Sequence, residues 1–297
     1  MASDLTIGLV GFGEAGLAFA EGWKPLGLKI STYDVKLDDQ HSADVISKRC
    51  QSAGVLVCHT IGETIGNADI VFSFVTADQA HVAAENCAPL GKSNAFYFDC
   101  NSCSPETKRK SAALLEDTGF RYVDAAVMAP VHPRLHQTPI NICGDHCASA
   151  KEIADRLEMS VTAIDGPVGT TSSIKMIRSI MMKGFEAVMM ECVLAGCKAG
   201  VDDQVLDSLD KTYPGFDFKQ KAGYMMERVM VHGERRAAEM REVAQTLEEL
   251  GMSNAMTTST VDWQALIGGL KLDPNHSLKD HEYQKRADII LSALKEI

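Results

Sequence analysis

The chain has no excess of positive charge. Its 297 residues include 29 Lys and Arg against 40 Asp and Glu, which gives a formal net charge of −11. A surface this acidic repels phosphate backbones and anionic lipids, so we expect neither nucleic acid nor a membrane surface as a partner. A small anionic substrate is still compatible with this charge, because a pocket can be locally basic.

The chain also lacks a long apolar run. No stretch reaches the ~18 uncharged apolar residues that a membrane-spanning helix requires. The first residues have no basic region, and their apolar run is interrupted by glycines and followed by Glu14, so we expect no signal peptide. Nine cysteines, an odd number, are scattered along a chain too large to need disulfides. We therefore expect reduced thiols and a cytoplasmic protein.

The order of apolar patterns predicts an α/β half followed by an all-α half. Up to Asp165, short β-like runs alternate with helical patterns, which predicts a Rossmann-type parallel sheet covered by helices on both faces. The predicted strands are Leu5–Val10, Lys29–Tyr33, Ile70–Val75, Ala95–Phe98, Arg121–Ala126, Ile140–Cys143 and Val161–Ile164. Helical patterns fall between several of these strands, for example at Ala15–Trp23, Gln79–Cys87, Pro105–Glu116 and Ser149–Glu158.

Beyond Asp165 only helical patterns follow. Gly169–Gly200 predicts one long interdomain helix, apolar almost all round and therefore buried, with its methionines in the core. Five shorter helices are predicted after it: Gln204–Tyr213, Phe218–His232, Glu234–Leu250, Thr257–Gly268 and Asp280–Glu296. We expect two domains: residues 1–165 bind a dinucleotide, and residues 166–297 form a helical domain for substrate binding and dimerisation.

A glycine-rich turn gives the sharpest local signal, Gly11-Phe12-Gly13-Glu14-Ala15-Gly16. It follows an apolar strand and opens a helix, which is the context that a dinucleotide-binding GxGxxG requires. Gly11 permits the tight turn, Gly13 lets the backbone approach a pyrophosphate, and Gly16 lets helix and strand pack closely. The start of the helix presents N–H groups to the phosphates. We therefore predict that this turn holds a dinucleotide.

Asp34 closes the second predicted strand, 18 residues after Gly16. A carboxylate at this distance accepts hydrogen bonds from the adenosine ribose and repels a 2′-phosphate. We therefore expect NAD as the cofactor, with NADP left open because Lys36 can partly offset the carboxylate. The alternative is that Asp34 is only a turn residue. Val75 and Thr76 end a strand at the cofactor edge of the sheet and are expected to contact the nicotinamide ribose.

Three further segments, together with the glycine-rich turn, resemble the β-hydroxyacid dehydrogenase family. Asp99–Pro105 (DCNSCSP) is similar to the family's D-x-S-T-x-S-P substrate loop. Asp124–Pro130 (DAAVMAP) stands where the family reads D-A-P-V-S-G-G. Gly169–Lys175 (GTTSSIK) is similar to G-x-G-x-x-x-K, which ends in the catalytic lysine. The stretch Arg235–Ala244 resembles a branch that carries a C-terminal domain of unknown function.

The resemblance implies an NAD(P)-dependent dehydrogenase whose site lies between the domains, in an intertwined homodimer. Lys175 would be the general acid/base, and Asn101 and Ser102 would position the substrate. Burial and a neighbouring cation would lower the pKa of Lys175 from about 10.4. Arg178, one helical turn along, could supply that cation and bind an anion with its bidentate fork. Ser179 falls on the same side of the helix.

The departures from the family pattern indicate an unfamiliar substrate. Met128 begins a Met-Ala-Pro run in place of Ser-Gly-Gly, which removes a hydroxyl and, at Pro130, a backbone donor. Asn101 and Ser102 replace Ser-Thr, and Arg178 stands where the family has Asn. We expect a small anionic hydroxy compound, either a β-hydroxyacid or a hydroxyalkyl phosphonate or phosphate, with Met128 among its contacts.

Several alternatives remain at this stage. Lys175 and Arg178 could simply pair with carboxylates at the domain boundary, and the dinucleotide site could belong to a non-catalytic sensor. Imine reduction and decarboxylating 6-phosphogluconate chemistry occur on the same scaffold. Imine reductases usually lack the lysine, and the chain is short for a decarboxylating 6-phosphogluconate dehydrogenase.

Other charged and sulfur-bearing residues carry weaker signals. The anion-binding groups lost from the Met-Ala-Pro run could be replaced by one of three residues that follow it: His132, Arg134 and His136. Arg235 and Arg236 could reach the cleft or form a solvated basic face. Cys100 and Cys103 have zinc-like spacing but lie in the substrate loop, so no metal site is expected.

Overall fold

The computed structural model describes residues 4–295, without the side chain of His41. Strands and helices alternate through its first half. The strands are β1 (Thr6–Val10), β2 (Lys29–Tyr33), β3 (Leu56–Val57), β4 (Ile70–Ser73), β5 (Phe96–Asp99), β6 (Arg121–Val127), β7 (Ile140–Cys143) and β8 (Val161–Ala163). The helices are α1 (Glu14–Trp23), α2 (Gln40–Ala53), α3 (Ile61–Ile65), α4 (Ala80–Cys87), α5 (Pro105–Asp117) and α6 (Cys147–Arg156).

The eight strands form one sheet in the order β3-β2-β1-β4-β5-β6-β7-β8. The predicted Rossmann-type fold is confirmed, and the sheet is mostly parallel. One pair of strands differs from the prediction, because β7 runs antiparallel to β6. The chain between these two strands holds only a 3-10 turn, Leu135–Gln137, whereas a parallel neighbour usually requires a helical crossover. The sequence also missed β3, α2 and α3, of which β3 has two residues and α3 has five.

Alternate residues of the strands fill two cores, one on each face of the sheet. Phe96 and Phe98 of β5 belong to one core, and Tyr97 between them belongs to the other. The first core is completed by residues of α1, α2 and α6, and the second by residues of α3, α4 and α5. The sheet is therefore covered by helices on both faces, as the sequence predicts.

Local sequence signals explain where α5 begins. Ser104 is the N-cap of α5, and its side-chain oxygen accepts a hydrogen bond from the Thr107 amide. Pro105 occupies the first helical position, where its missing N–H costs nothing. The Ser-Pro pair that resembles the family motif is therefore also what ends the loop and starts α5.

The second half is helical: α7 (Thr170–Ala199), α8 (Asp202–Thr212), α9 (Phe218–Glu249), α10 (Ala255–Gly269) and α11 (Tyr283–Leu294). The prediction of two helices meeting at Gly233 was wrong, because α9 runs unbroken through that glycine. The last predicted helix begins later than expected, after a 3-10 turn at Asp280–Glu282. Its predicted end, Glu296, lies outside the described residues.

The chain forms two compact units that divide between Met176 and Ile177, within α7. The second unit has its own core, built from apolar residues of α7 to α11. The domain boundary at residue 165 stays a prediction, because it marks a change in composition rather than in compactness.

The prediction that α7 is buried all round was wrong. Met176, Met189 and Met190 are buried, but Met181 is 70% exposed and Met182 is 47% exposed. The apolar side chains of this helix are therefore only partly buried within the chain.

Candidate functional site

The glycine-rich turn joins β1 to α1. Gly11 has a φ of 89°, a conformation that side chains rarely adopt, and a Cβ there would lie 2.6 Å from the carbonyl oxygen of Phe74. A Cβ at Gly16 would lie 2.7 Å from the carbonyl oxygen of Gly11. By contrast, no described atom lies within 4 Å of a Cβ placed at Gly13. The turn itself requires the outer glycines, and the central one leaves open space.

That open space lies at the start of α1. Gly13 is the N-cap of this helix, and no side chain within residues 4–295 caps it. The first-turn N–H groups can therefore receive phosphate oxygens, as a pyrophosphate requires. Phe12 is fully buried, Ala15 is half-buried, and Glu14 is exposed. The residues of the turn thus fit a dinucleotide pyrophosphate.

Asp34 follows β2 and is 9% exposed. One carboxylate oxygen accepts a hydrogen bond from the Phe12 amide at 2.7 Å, and the other accepts one from the Lys36 amide at 2.9 Å. The carboxylate therefore fixes the glycine-rich turn and also caps a 3-10 turn that begins at Val35. Each oxygen keeps a second lone pair, so this structural role is compatible with binding a ribose hydroxyl.

Val75 and Thr76 follow β4, which pairs with β1 at the centre of the sheet. The chain continues from β1 towards β2 on one side and from β4 towards β5 on the other. Ligands of open α/β sheets bind at such a point, beyond the carboxyl ends of the strands. The Val75 amide donates to the Asn101 side-chain oxygen at 2.7 Å, which ties this segment to the end of β5.

The Asn101 carboxamide is fully engaged within the loop after β5. Its nitrogen donates to the Ser73 hydroxyl at 2.9 Å and to the Asp99 carboxylate at 2.8 Å. Its oxygen accepts the Val75 amide, and the side chain is 4% exposed. These contacts make Asn101 a clamp between β4 and β5.

Ser102 and Lys175 are brought together from positions 73 residues apart. The lysine Nζ donates a hydrogen bond to the serine Oγ at 2.6 Å, and both residues are half-buried. A half-buried ammonium beside a hydroxyl, next to the strand ends, can hold and move a proton on a small substrate.

A buried ionic cluster lies in the same compact unit as this pair. Lys108, Asp99 and Asp124 are each 1% exposed or less, and the Lys108 ammonium contacts both carboxylates. Burial alone lowers the pKa of Lys108, but the charges of the two carboxylates outweigh it and raise the pKa above its ordinary value. Burial also raises the pKa of the neighbouring Cys100 thiol to about 12, so this thiol stays protonated. Sequence patterns did not predict this cluster.

Two predicted substrate contacts, Arg178 and Ser179, belong to the second compact unit. Arg178 is exposed, whereas Ser179 is 6% exposed and its hydroxyl accepts a hydrogen bond from Lys183 at 3.3 Å. The Lys183 ammonium also pairs with Glu239 at 2.8 Å. Their roles toward a substrate stay predictions.

The same unit contains a buried ion pair that the sequence did not predict. Arg236 and Glu186 are 8% and 4% exposed, and their side chains are 2.5 Å apart. Burial raises the pKa of Glu186, which the arginine partly offsets. Arg236 is therefore no part of a solvated basic face, whereas Arg235 is exposed and pairs with Glu239.

The remaining candidates lie on the loop between β6 and β7. Met128 is half-buried, and its amide donates to the carbonyl of Pro139. His132 and Arg134 are exposed, whereas His136 is buried. The nine cysteines are free, and residues 4–295 contain no group of three side chains placed as metal ligands. None of the helices in that range is both long and apolar enough to cross a bilayer.

Comparison with known families matches two regions of the chain. The NAD binding domain of 6-phosphogluconate dehydrogenase matches residues 6–164. A domain of unknown function, DUF1932, matches residues 197–267. The first match covers more than half of the chain and includes the glycine-rich turn and the segment Asp99–Pro105.

Individual relatives agree with these matches. A conserved hypothetical protein from Sinorhizobium meliloti 1021 is 30% identical, with a TM-score of 0.75 over 97% of this chain and 96% of its own. A 3-hydroxyisobutyrate dehydrogenase from Mycobacterium tuberculosis, at 15% identity, shares the fold with a TM-score of 0.73 over 97% and 98%. An uncharacterized 28.5 kDa protein from Methanothermus fervidus is 26% identical over 80% of this chain and 89% of that protein.

The glycine-rich turn, the order of the strands, the helical second half and these matches agree. The chain belongs to the β-hydroxyacid dehydrogenase family, in the branch that carries a DUF1932 domain.

Proposed function

We propose that the protein is an NAD(P)-dependent oxidoreductase that interconverts a small anionic hydroxy compound and its carbonyl. The observation that carries this proposal is the 2.6 Å hydrogen bond between Lys175 Nζ and Ser102 Oγ. The pair lies in the same compact unit as the glycine-rich turn, and its loop follows β5, which neighbours the switch point of the sheet.

The proposed chemistry divides between cofactor and protein. A bound nicotinamide dinucleotide supplies hydride transfer. In oxidation, Lys175 accepts the hydroxyl proton as the carbon loses its hydride, and in reduction the ammonium returns that proton to the oxygen. Ser102 orients the reacting oxygen toward the lysine. Asn101 acts through the loop, because its own side chain is used to hold β4 against β5.

The proposed cofactor is NAD in preference to NADP. The Asp34 carboxylate is held in place by two backbone N–H groups, so it cannot easily turn away from an approaching 2′-phosphate. The family match supports a nicotinamide dinucleotide in general. The preference for NAD rests on Asp34 alone.

The proposed substrate carries a carboxylate, phosphate or phosphonate. Arg178 is exposed and could bind such a group with its planar fork, and Ser179 and Met128 are further candidate contacts. The Met-Ala-Pro run after β6 provides fewer donors than Ser-Gly-Gly, so the arginine is the expected anchor of the anion.

Substrate panels and one substitution test the proposed function. Hydroxy and oxo carboxylates, phosphates and phosphonates are assayed with both dinucleotides by absorbance of the reduced cofactor. Lys175→Ala is expected to lower turnover by at least about a hundredfold, as loss of a general acid/base does, with NAD affinity measured by calorimetry unchanged. Lys198→Ala, an exposed lysine on the same helix, serves as the control.

The panel also separates the alternatives. Dinucleotide binding without turnover of any compound would identify a sensor, and turnover of a ketone only with an added amine would identify an imine reductase. Release of CO₂ with oxidation would identify decarboxylating chemistry. Undiminished turnover in Lys175→Ala would show that Lys175 is not the general acid/base.

We also propose a cytoplasmic homodimer. Nine free cysteines suit a reducing compartment. Three apolar side chains of α7 are more exposed than a monomer would favour: Ile177 at 51%, Met181 at 70% and Val188 at 53%. A second copy of the chain would cover them.

A further inference from the structure

Lys108 is a buried cation to which the proposed reaction assigns no part. Its ammonium lies 2.5 Å from the carbonyl oxygen of Asp99, 2.9 Å from the Asp99 carboxylate and 3.6 Å from the Asp124 carboxylate. All three side chains are at most 1% exposed. Buried charges are costly unless they are paired and hydrogen-bonded, so the arrangement must be complete to be stable.

Asp99 holds the loop that carries Ser102. Its carboxylate accepts hydrogen bonds from the Asn101 amide at 3.1 Å and the Asn101 side chain at 2.8 Å. Its other oxygen accepts the Tyr122 hydroxyl at 2.7 Å. The residue that follows Asn101 is the serine in contact with Lys175.

Asp124 holds the start of the helix that carries Lys175. Its carboxylate accepts hydrogen bonds from the Gly169 amide at 3.0 Å and the Ser172 hydroxyl at 2.7 Å. The oxygen that accepts the Ser172 hydroxyl is the same oxygen that faces Lys108. A carboxylate is also favoured there by the positive end of the helix dipole.

We propose that Lys108 is a positioning residue that locks the Ser102 loop to the N-terminus of α7 and so sets the distance between Ser102 and Lys175. The inference rests on the proposed function of Lys175. It follows from geometry, because one ammonium joins the two carboxylates and each carboxylate fixes one partner of the reacting pair. A misplacement of about 1 Å in such a pair can cost about a hundredfold in rate.

Two substitutions test the inference. Lys108→Met keeps the side-chain length and removes the charge, whereas Ser172→Ala removes one hydroxyl from the network and leaves all charges in place. Ser173→Ala is the matched control, because the Ser173 hydroxyl donates to the backbone carbonyl of Gly169 in the same helix turn rather than to Asp124. Thermal unfolding of each variant measures stability, and calorimetry measures NAD affinity.

The first readout is catalytic. With the best substrate of the panel, kcat is expected to fall about tenfold in Ser172→Ala and further in Lys108→Met, with the KM for NAD unchanged. Ser173→Ala is expected to keep the wild-type kcat at a comparable stability. A purely structural role would lower kcat of Ser172→Ala and Ser173→Ala in parallel with their stability.

The second readout needs no substrate. Acetic anhydride labels lysine amines, and mass spectrometry gives the labelling of Lys175 relative to Lys198 as an internal reference. In Ser172→Ala this ratio is expected to rise several-fold, because Lys175 is no longer held on Ser102, and in Ser173→Ala it is expected to stay constant.

The two readouts separate the inference from the proposed function. If no compound is turned over but the labelling ratio rises in Ser172→Ala, the proposed function fails and the positioning network stands. A folded Lys108→Met protein with wild-type kcat and labelling overturns the inference. If Lys108→Met does not fold, an unchanged labelling ratio in Ser172→Ala overturns it.

Discussion

His136 is a buried imidazole whose two ring nitrogens have no hydrogen-bond partner among the residues described. Its ring centroid lies 6.4 Å from that of Trp23, and a Cβ at position 22 would lie 2.0 Å from its Nδ1, so only glycine fits there. Burial lowers the pKa of His136, and the charge of Glu158 opposes this effect. His136, which the sequence suggested as one possible anion-binding residue, therefore lies in the core.

This histidine makes stability depend on pH. Because the folded state favours the neutral ring, the unfolded chain binds more protons below the ordinary histidine pKa of about 6.5. The contribution of His136 to the free energy of unfolding is therefore complete above about pH 6.5 and falls as the pH drops. Urea unfolding at neutral and mildly acidic pH is expected to show a smaller acid-induced loss in His136→Phe than in the wild type.

The exposed residue His59 provides the control for this experiment. His59→Gln is expected to keep the wild-type pH dependence. If His136→Phe loses as much stability on acidification as the wild type does, the burial of a neutral ring is not what sets that dependence.

Asp34 combines two roles that a pair of substitutions can separate. Asp34→Ala leaves the buried Phe12 amide without its acceptor and is expected to cost about 1–3 kcal/mol of unfolding free energy. Asp34→Asn keeps an oxygen acceptor but loses the charge, so the ratio of NADP to NAD affinity is expected to rise. Asp38→Asn, an exposed carboxylate nearby, should leave that ratio unchanged. Calorimetric titrations with both dinucleotides decide the outcome.

At the level of single residues, sequence patterns predict those residues whose positions are determined by interactions with their neighbours along the chain. Local backbone geometry requires the glycines of the turn and the Ser-Pro pair at the start of α5. Lys108 could not be identified in this way, because a lysine in a helical pattern predicts a solvent-exposed side chain. Its partners Asp99 and Asp124 become neighbours only when β5 and β6 pair in the sheet.

Glycine permits a close approach between α9 and α10. A Cβ at Gly233 would lie 2.4 Å from the carbonyl oxygen of Gln264 and 2.8 Å from the Cα of Gly268. The glycine that suggested a break in the sequence is therefore required for packing inside a continuous helix. Local propensity alone cannot distinguish these two reasons for a glycine.

Gly233→Ala is expected to lower stability. The added methyl group must push two backbones apart, at a cost of about 1–3 kcal/mol. This exceeds the gain in helix propensity of about 1 kcal/mol. Gly184→Ala is the matched control, because its Cβ would lie 3.7 Å from the Thr260 hydroxyl, an ordinary contact. Denaturant unfolding should show opposite signs for the two variants, and equal effects would contradict the packing explanation.

Strand direction is a second property of elements that the sequence did not provide. Ile140–Cys143 was predicted as a strand with the correct limits, but its apolar residues suit either direction in a buried sheet. The absence of a helical pattern between β6 and β7 was the available signal for an antiparallel pair.

On the scale of the whole molecule, the exposed apolar face of α7 predicts self-association. The wild type is expected to have twice the chain mass of 32.2 kDa in light scattering. Met181→Glu combined with Val188→Glu is expected to give monomers, because two charges would face each other across a two-fold interface. Met256→Glu, an exposed methionine of α10, serves as the control. A monomeric wild type would refute the prediction.

The order of two unlike halves could be predicted for the whole chain because composition changes along it. The boundary between the two compact units could not be predicted, because it depends on which turns of α7 pack against which core. The division falls immediately after Met176, so Lys175 and Ser102 belong to one side of it.

This division has an evolutionary consequence. Everything after Met176 can diverge, or be exchanged by recombination with the helical half of a relative, without altering the lysine or the serine that it contacts. Descendants could therefore inherit the proposed proton-handling pair intact while the groups proposed to recognise the substrate are reshaped.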